Sequence, residues 1–325
     1  MASEPSRVAR PPDVDGAHAA IEAAIAAGEP AGLRVLGYGE MTLVVGWPTG
    51  SPTHAVKRLP PFATARAVEA YAALVRDYVG ALAERGVASV PTDVVTRPAR
   101  GGIAAYLVQP MAPPERLLDG WLQTGPSESE GLAALTTLAE AIARGADERV
   151  GLDGQVSNWV RAGDGGLALV DLTTPMLRDA RGRERLDMRL FTSVYPWVLR
   201  GALRRFVAPG VVAAYHRPRS VIIDAASNLM RENLDEWVPV LLRAAGAAVD
   251  RPPTAGEVGS YYRSNTRLWA MTERLRRAER WWQRRVRRRD YPMLLAPPGS
   301  IRPARQGAGG ARSRRREGGV GEARR

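Results

Sequence analysis

"THAVKRLP", residues 53–60, holds the only lysine in the chain. Of the 46 lysines and arginines, the other 45 are arginine. A bias of this kind follows from a GC-rich coding sequence, under which a surface lysine drifts to arginine at little cost. Lys57 has not drifted, and it sits inside an apolar, strand-like run, "HAVK". The physical difference is one of shape. A lysine is a compact point charge on a flexible stem, whereas arginine is a planar fork. A position that needs one ammonium between two phosphate oxygens would keep the lysine.

Upstream, "LRVLGYGEMTLVVGW" gives two apolar runs broken by Gly37 and Gly39, which predicts strand, turn and strand. "HAVKRL" is a third strand. Downstream, Val68, Tyr71, Val75, Val79 and Leu82 recur at spacings of three and four, predicting a helix over 63–84. "VASVPTDVVTRP" and "GIAAYLVQP" read as two further strands around the turn "ARGG". An alanine-rich helix over 16–28 precedes all of this. Past Pro110 the pattern turns helical: 128–147, opened by a Ser/Glu capping signature, then 186–206, 210–215, 219–230, 234–249 and 255–289. Residues 1–15 and 296–325 read as disordered. The fold class is α+β: a small strand-rich unit over 16–110 and a larger helical unit over 111–295.

A few glycines and polar residues stand out against this frame. Glycines at 37 and 39 let backbone amides approach phosphates with no Cβ in the way. Lys57 follows on the next strand. In "GLDGQVSNW", Asp153 and Asn158 stand five apart in a polar loop. A carboxylate there can orient a hydroxyl or take its proton, and a carboxamide oxygen can ligate Mg²⁺. In "LALVDLTTP", Asp171 ends an apolar run thirteen residues after Asn158, a common Mg²⁺ position.

In order and spacing these residues resemble the protein-kinase-like superfamily, which includes the aminoglycoside and choline phosphotransferases. The resemblance spans roughly residues 30–250, and it implies a two-lobed fold that binds ATP and Mg²⁺. It places Gly37 and Gly39 on the phosphate loop. It makes Lys57 the strand lysine and Asp153 the catalytic aspartate, with Asn158 and Asp171 as metal ligands. It also implies an acid bracing Lys57: Glu69 on the following helix, with Asp77 as the alternative. "YLVQPMAP" is similar to the family's hinge, whose backbone between Gln109 and Met111 would bind adenine. Gly151 and Leu152 replace the His-Arg found before the catalytic aspartate in protein kinases, and Leu172 and Thr173 replace the Phe-Gly after the metal-binding one. These departures argue against a regulated protein kinase. They fit a small-molecule phosphotransferase or an inactive, pseudokinase-like binding protein. The chain also resembles an uncharacterised bacterial family of kinase-like proteins through "YPWVLRGALRRFVAPG" and "RRAERWWQRRVRRRDYP".

Composition narrows the rest. The chain has 325 residues, 45% of them hydrophobic, and no cysteine. Disulfides, thiolate metal sites and a cysteine nucleophile are therefore excluded. The polar, proline-rich start is not a signal peptide and no apolar run reaches about 18 residues, so a cytoplasmic protein without a membrane span is expected. The net charge of +12 is concentrated at one end. Residues 272–290 carry nine Arg against three acids, and 302–325 carry eight Arg against two. That segment, with Trp281, Trp282 and Tyr291 interleaved among its arginines, suggests contact with polyanions, either nucleic acid or an anionic membrane surface. On its helix, Leu268, Met271, Leu275, Ala278, Trp282 and Val286 form a stripe expected to face the core, with the arginines solvated. His18, His54 and His216 lack metal-ligand spacing and read as turn or surface residues.

Overall fold

The computed structural model describes residues 13–30, 32–39 and 42–296. Strands β1 (Arg34–Tyr38), β2 (Leu43–Trp47), β3 (His54–Arg58), β5 (Asp93–Ala99) and β6 (Gly102–Pro110) form one antiparallel sheet, ordered β1-β2-β3-β6-β5. Helix α2 (Ala65–Glu84) follows β3, and Thr64 caps it by accepting from Ala67 N–H. The short β4 (Ala88–Ser89) leaves this sheet to pair in parallel with β8 (Leu167–Leu169), beside β7 (Trp159–Arg161). Pro91 separates β4 from β5.

The two faces of the sheet follow the period of two in the strands. Val56, Ala104, Tyr106 and Val108 pack with α1 (Val14–Ala27) on one side. Leu59, Ala105 and Leu107 pack with α2 and the helical unit on the other. In "HAVKRL" this alternation sends Arg58 toward α1, where its guanidinium meets Glu22 at 2.8 Å. Its neighbour Lys57 faces the helical unit.

That unit is built on α4 (Glu128–Gly145), α8 (Pro218–Arg231) and α9 (Val238–Ala248), with the shorter α3 (Leu118–Gln123) at its entrance. The capping box expected at α4 is present: Glu130 N–H donates to Ser127 Oγ at 3.3 Å, and Ser127 N–H donates to Glu130 Oε2 at 2.9 Å. Gly131 lets α4 lie against the Trp237 ring, which an added Cβ would strike. Among the described residues, no helix is long and apolar enough to cross a membrane.

Four expectations need correction. Disorder is expected through residue 15, but Asp13 caps α1, and Val14 and Asp15 lie within the helix. Residues 1–12 and 297–325 lie outside the described residues. The helix expected over 186–206 is divided into α5 (Met188–Thr192) and α6 (Trp197–Ala202). Pro196 stands between them, and its missing N–H cannot continue a helical ladder. A π-helical turn, Leu203–Val207, then joins α6 to α7 (Ala208–Tyr215). His54 and His216 are buried rather than at the surface.

The fourth correction concerns α10 (Ala255–Arg285). Its apolar stripe faces out: Leu268, Met271, Trp282 and Val286 are exposed. The buried face carries Glu273, Arg276 and Glu279, which find partners there. Arg276 Nη1 donates to Glu273 Oε1 at 2.8 Å, and Arg200 lies 3.6 Å from Glu279. Periodicity identifies a face but not the side on which the neighbours lie. Beyond α10 the chain crosses back in extended form. Tyr291, Met293 and Leu295 pack with Val194, while Leu294 enters the core between α1 and the sheet.

Candidate functional site

The site begins at the carbonyl of Val170. Lys57 Nζ donates to it at 2.7 Å and Gln109 Nε2 at 2.9 Å. Both side chains come from the sheet face turned toward the helical unit, since Lys57 pairs with Leu107 and Ala55 with Gln109 across β3 and β6. The Lys57 ammonium also lies 3.5 Å from Asp171 Oδ1. Asp171 Oδ1 further accepts from Thr173 N–H at 3.0 Å and Thr173 Oγ1 at 2.6 Å. Burial alone would raise the Asp171 pKa. The Lys57 charge and the Thr173 hydrogen bonds outweigh it and hold the carboxyl below its usual range.

The loop carrying Asp153 is held from several sides. Gly151 N–H donates to Met176 O at 2.8 Å, Leu152 N–H to Tyr215 O at 3.0 Å, and Tyr78 Oη to Gly151 O at 2.8 Å. An added Cβ on Gly154 would meet Val221 Cγ1 at 2.5 Å and Ile142 Cδ1 at 2.8 Å, so the loop lies directly on α8 and α4. Asp153 Oδ1 accepts from Gln155 N–H at 3.2 Å. Asn158 O accepts from Val170 N–H at 2.8 Å, which ties the residue before Asp171 to Asn158. Burial, and then the charges of Asp153 and Asp171, push the Tyr78 hydroxyl far above its ordinary pKa. Its bond to Gly151 O holds it two residues before Asp153.

Gly37 lies within β1, opposite Val44, and Gly39 stands just past the strand's end. Gly39 N–H donates to Thr42 O at 2.8 Å, and an added Cβ on Gly39 would collide with Thr42 Oγ1. Around Gly37 there is open space. Val44 pairs with Lys57, so this turn sits at the Lys57 end of β3, a few residues of strand away.

The brace and hinge assignments are corrected. Lys57 pairs with Asp171, while Glu69 is exposed on α2. The buried stripe of α2 includes Val68, Tyr71, Leu74, Val75, Tyr78 and Leu82, and Glu69 lies off it. Asp77 pairs with Arg185 at 2.6 Å instead. At the hinge, Met111 N–H is spent on Thr53 O at 2.9 Å, which extends the pairing of the sheet. Gln109 contributes its side chain, donating to Thr92 Oγ1 at 2.8 Å as well as to Val170 O. A cavity of about 240 Å³ lies against this segment, lined by Val90, Pro110, Met111, Val160 and Ala168 among others.

Several positioning residues had no signal in the sequence. Tyr71 Oη donates to Thr173 O at 2.9 Å. His216 places Nδ1 3.0 Å from Asp147 O and Nε2 3.0 Å from Glu184 Oε1, with Gly151 packed against its ring. The apolar stripe of α2 places Tyr71 on the buried face but gives no sign of its hydrogen bond. Behind the loop, burial raises the Asp224 pKa despite the hydrogen bond from Tyr261 Oη at 2.9 Å.

Among the described residues no group of three or more His, Asp or Glu side chains could hold a metal by itself. Asn158 and Asp171 offer hard oxygen donors, and the bonds described for Asp171 all fall on Oδ1. Two such ligands suit Mg²⁺ that arrives with phosphate oxygens and keeps some of its waters.

The chain belongs to a family of unknown function, DUF6206, which matches residues 18–280. No curated protein matches it.

Proposed function

We propose that the chain is an ATP- and Mg²⁺-dependent phosphotransferase of the protein-kinase-like fold, acting on a hydroxyl of a small molecule. The observation that carries this reading is the 3.5 Å approach of the Lys57 ammonium to Asp171 across the two units. Asn158 is bonded through its backbone to the residue before Asp171, and Asp153 shares the field around Tyr78 with Asp171. A single cation, two oxygen ligands and a carboxylate on a braced loop are the parts that phosphoryl transfer requires.

In this reading Lys57 orients the nucleotide phosphates, near the Gly37–Gly39 turn. Asn158 and Asp171 hold Mg²⁺, which neutralises phosphate charge. Asp153 orients the acceptor hydroxyl and takes its proton. Most of the rate comes from positioning and from fixed charge rather than covalent chemistry. The apolar cavity beside Pro110 and Met111 supplies contact area for the base.

Calorimetric titration with Mg²⁺·ATP tests the reading. Saturable binding in the wild type, weakened in Lys57→Arg, is expected, because a guanidinium fork does not fit between Val170 O and Asp171. Asp153→Ala should bind the nucleotide as the wild type does and lose ATP turnover. No binding by folded wild-type protein would refute the proposal.

A pseudokinase-like binding protein is the second reading, and one observation favours it. Met111 N–H, the hinge amide that would meet adenine, is occupied by Thr53 O. No turnover with any acceptor, together with nucleotide binding that is weak, would select this reading.

A further inference from the structure

The outward face of α10 takes no part in the proposed phosphoryl transfer, and it exposes several large apolar side chains. Trp281 is 61% exposed and Trp282 41%, and Leu268, Met271 and Val286 share the solvent side with them. The start of α6 lies alongside, because Trp197 and Val198 line a cavity of about 300 Å³ with Ala278, Trp281 and Trp282. Trp197 is 62% exposed, and Phe206, in the π-helical turn that follows, is 79% exposed. Soluble surfaces rarely present so many large apolar side chains together. Arg267, Arg274 and Arg285 are also exposed, and by helical spacing they flank the α10 stripe on one side. Arg204 and Arg205 are exposed next to Phe206.

We infer that this face docks on an anionic lipid bilayer. A helix with an apolar stripe, interfacial tryptophans and a flank of arginines matches what a bilayer surface offers: an acyl boundary for the indoles and anionic headgroups for the guanidinium groups. The charge also weighs against other occupants. A second copy meeting this face with its α10 antiparallel would bring arginine flank against arginine flank. The chain beyond residue 296 has Ile301 and Val320 as its only large aliphatic residues, set among eight arginines, so it cannot cover the stripe. Nucleic acid would use the arginines and the indoles, but Leu268, Met271, Val198 and Val286 have no stacking role there.

The inference is independent of the phosphotransferase reading. Its test is co-sedimentation of the full chain with phosphatidylcholine vesicles, with and without phosphatidylglycerol. Binding is expected only to the anionic vesicles. The double variant Trp281→Ala/Trp282→Ala should lose affinity by about tenfold or more, since each indole buries a large apolar area. Arg274→Glu/Arg285→Glu should lose it too. All four side chains are exposed, so unchanged melting is expected. Should the tryptophan variant misfold, Trp197→Ala/Phe206→Ser on the neighbouring helical segment gives the same readout. Equal vesicle binding by these variants and the wild type would overturn the inference and assign the binding to the arginine-rich chain past residue 296. Failure to bind anionic vesicles would overturn it as well. So would a tryptophan-dependent dimer, or tryptophan-dependent oligonucleotide binding, in protein that ignores vesicles.

Discussion

The side-chain amide of Gln109 reaches across 61 residues to the carbonyl of Val170, at 2.9 Å, and meets there the ammonium of Lys57. One backbone oxygen thus fixes two side chains of the sheet and, through the next residue, the direction of Asp171. Gln109 is buried, so its amide has no water to fall back on. Gln109→Leu should cost about 1–3 kcal/mol, the range for leaving buried polar partners unmet. Chemical denaturation measures this. Under the proposed phosphotransferase reading, Mg²⁺·ATP affinity should fall in parallel, because Val170 precedes Asp171.

The Asp153 loop gives a steric prediction. Gly154→Ala places a methyl group within 2.8 Å of both Val221 and Ile142 side chains. The loop must lift from α8 and α4, carrying Asp153 with it. Turnover should fall far more than nucleotide affinity, a division that parallel kinetics and calorimetry would read. A variant with both quantities intact would show that the loop tolerates the shift.

Asp224 sets a pH dependence. Burial raises its pKa in the fold, so folding favours the protonated acid. That contribution is complete below the unfolded value, near the ordinary 3.8, and is lost as pH rises through the higher folded value. Asp224→Asn keeps an oxygen for Tyr261 Oη and removes the titration. The variant should melt above the wild type at neutral pH and lose that advantage toward acid. Melting curves across the acid range decide the matter. Asp171 has the opposite sign. Its depressed pKa contributes stability above 3.8 that is lost as pH falls through the folded value.

Arginines of α10 cap the first helix. Arg280 donates to Gly28 O at 3.2 Å, and Arg284 donates to Ala27 O at 3.3 Å and to Ala26 O. These are the unpaired carbonyls at the end of α1, where positive charge is favoured. Arg284→Ala should destabilise by about 0.3–1 kcal/mol. The loss should appear as faster amide exchange in α1, with that of α4 unchanged.

Local patterning made the small unit and its motifs legible. Val68, Tyr71, Val75 and Leu82 repeat at helical spacing and "HAVKRL" reads as a strand, so α2 and β3 are legible in the sequence, while the face on which Lys57 emerges is not. Ser127 and Glu130 announced the start of α4. The partner of Lys57 was not readable in this way. Glu69 and Asp77 lie on the adjacent helix, but their angular positions turn them from the cleft, and Asp171 closes the contact from 114 positions along the chain. For α10 the period was right and the side was wrong. Paired charges can be buried where hydrophobicity predicts solvent, provided each has a partner. Met111 was lost to a single added strand bond, which a sequence pattern does not display.

The strap after α10 changes how the two units can move. Tyr291 Oη donates to Val194 O at 2.7 Å in the helical unit, while Arg58 of the sheet donates to Pro292 O at 2.5 Å. With Leu294 seated beside α1, the chain crosses between the units a second time, far from the Pro110 segment. The strap thus adds a second covalent tether beside the core that the sheet, α2 and the helical unit share, and it restrains sliding of one unit past the other at Lys57 and Asp171.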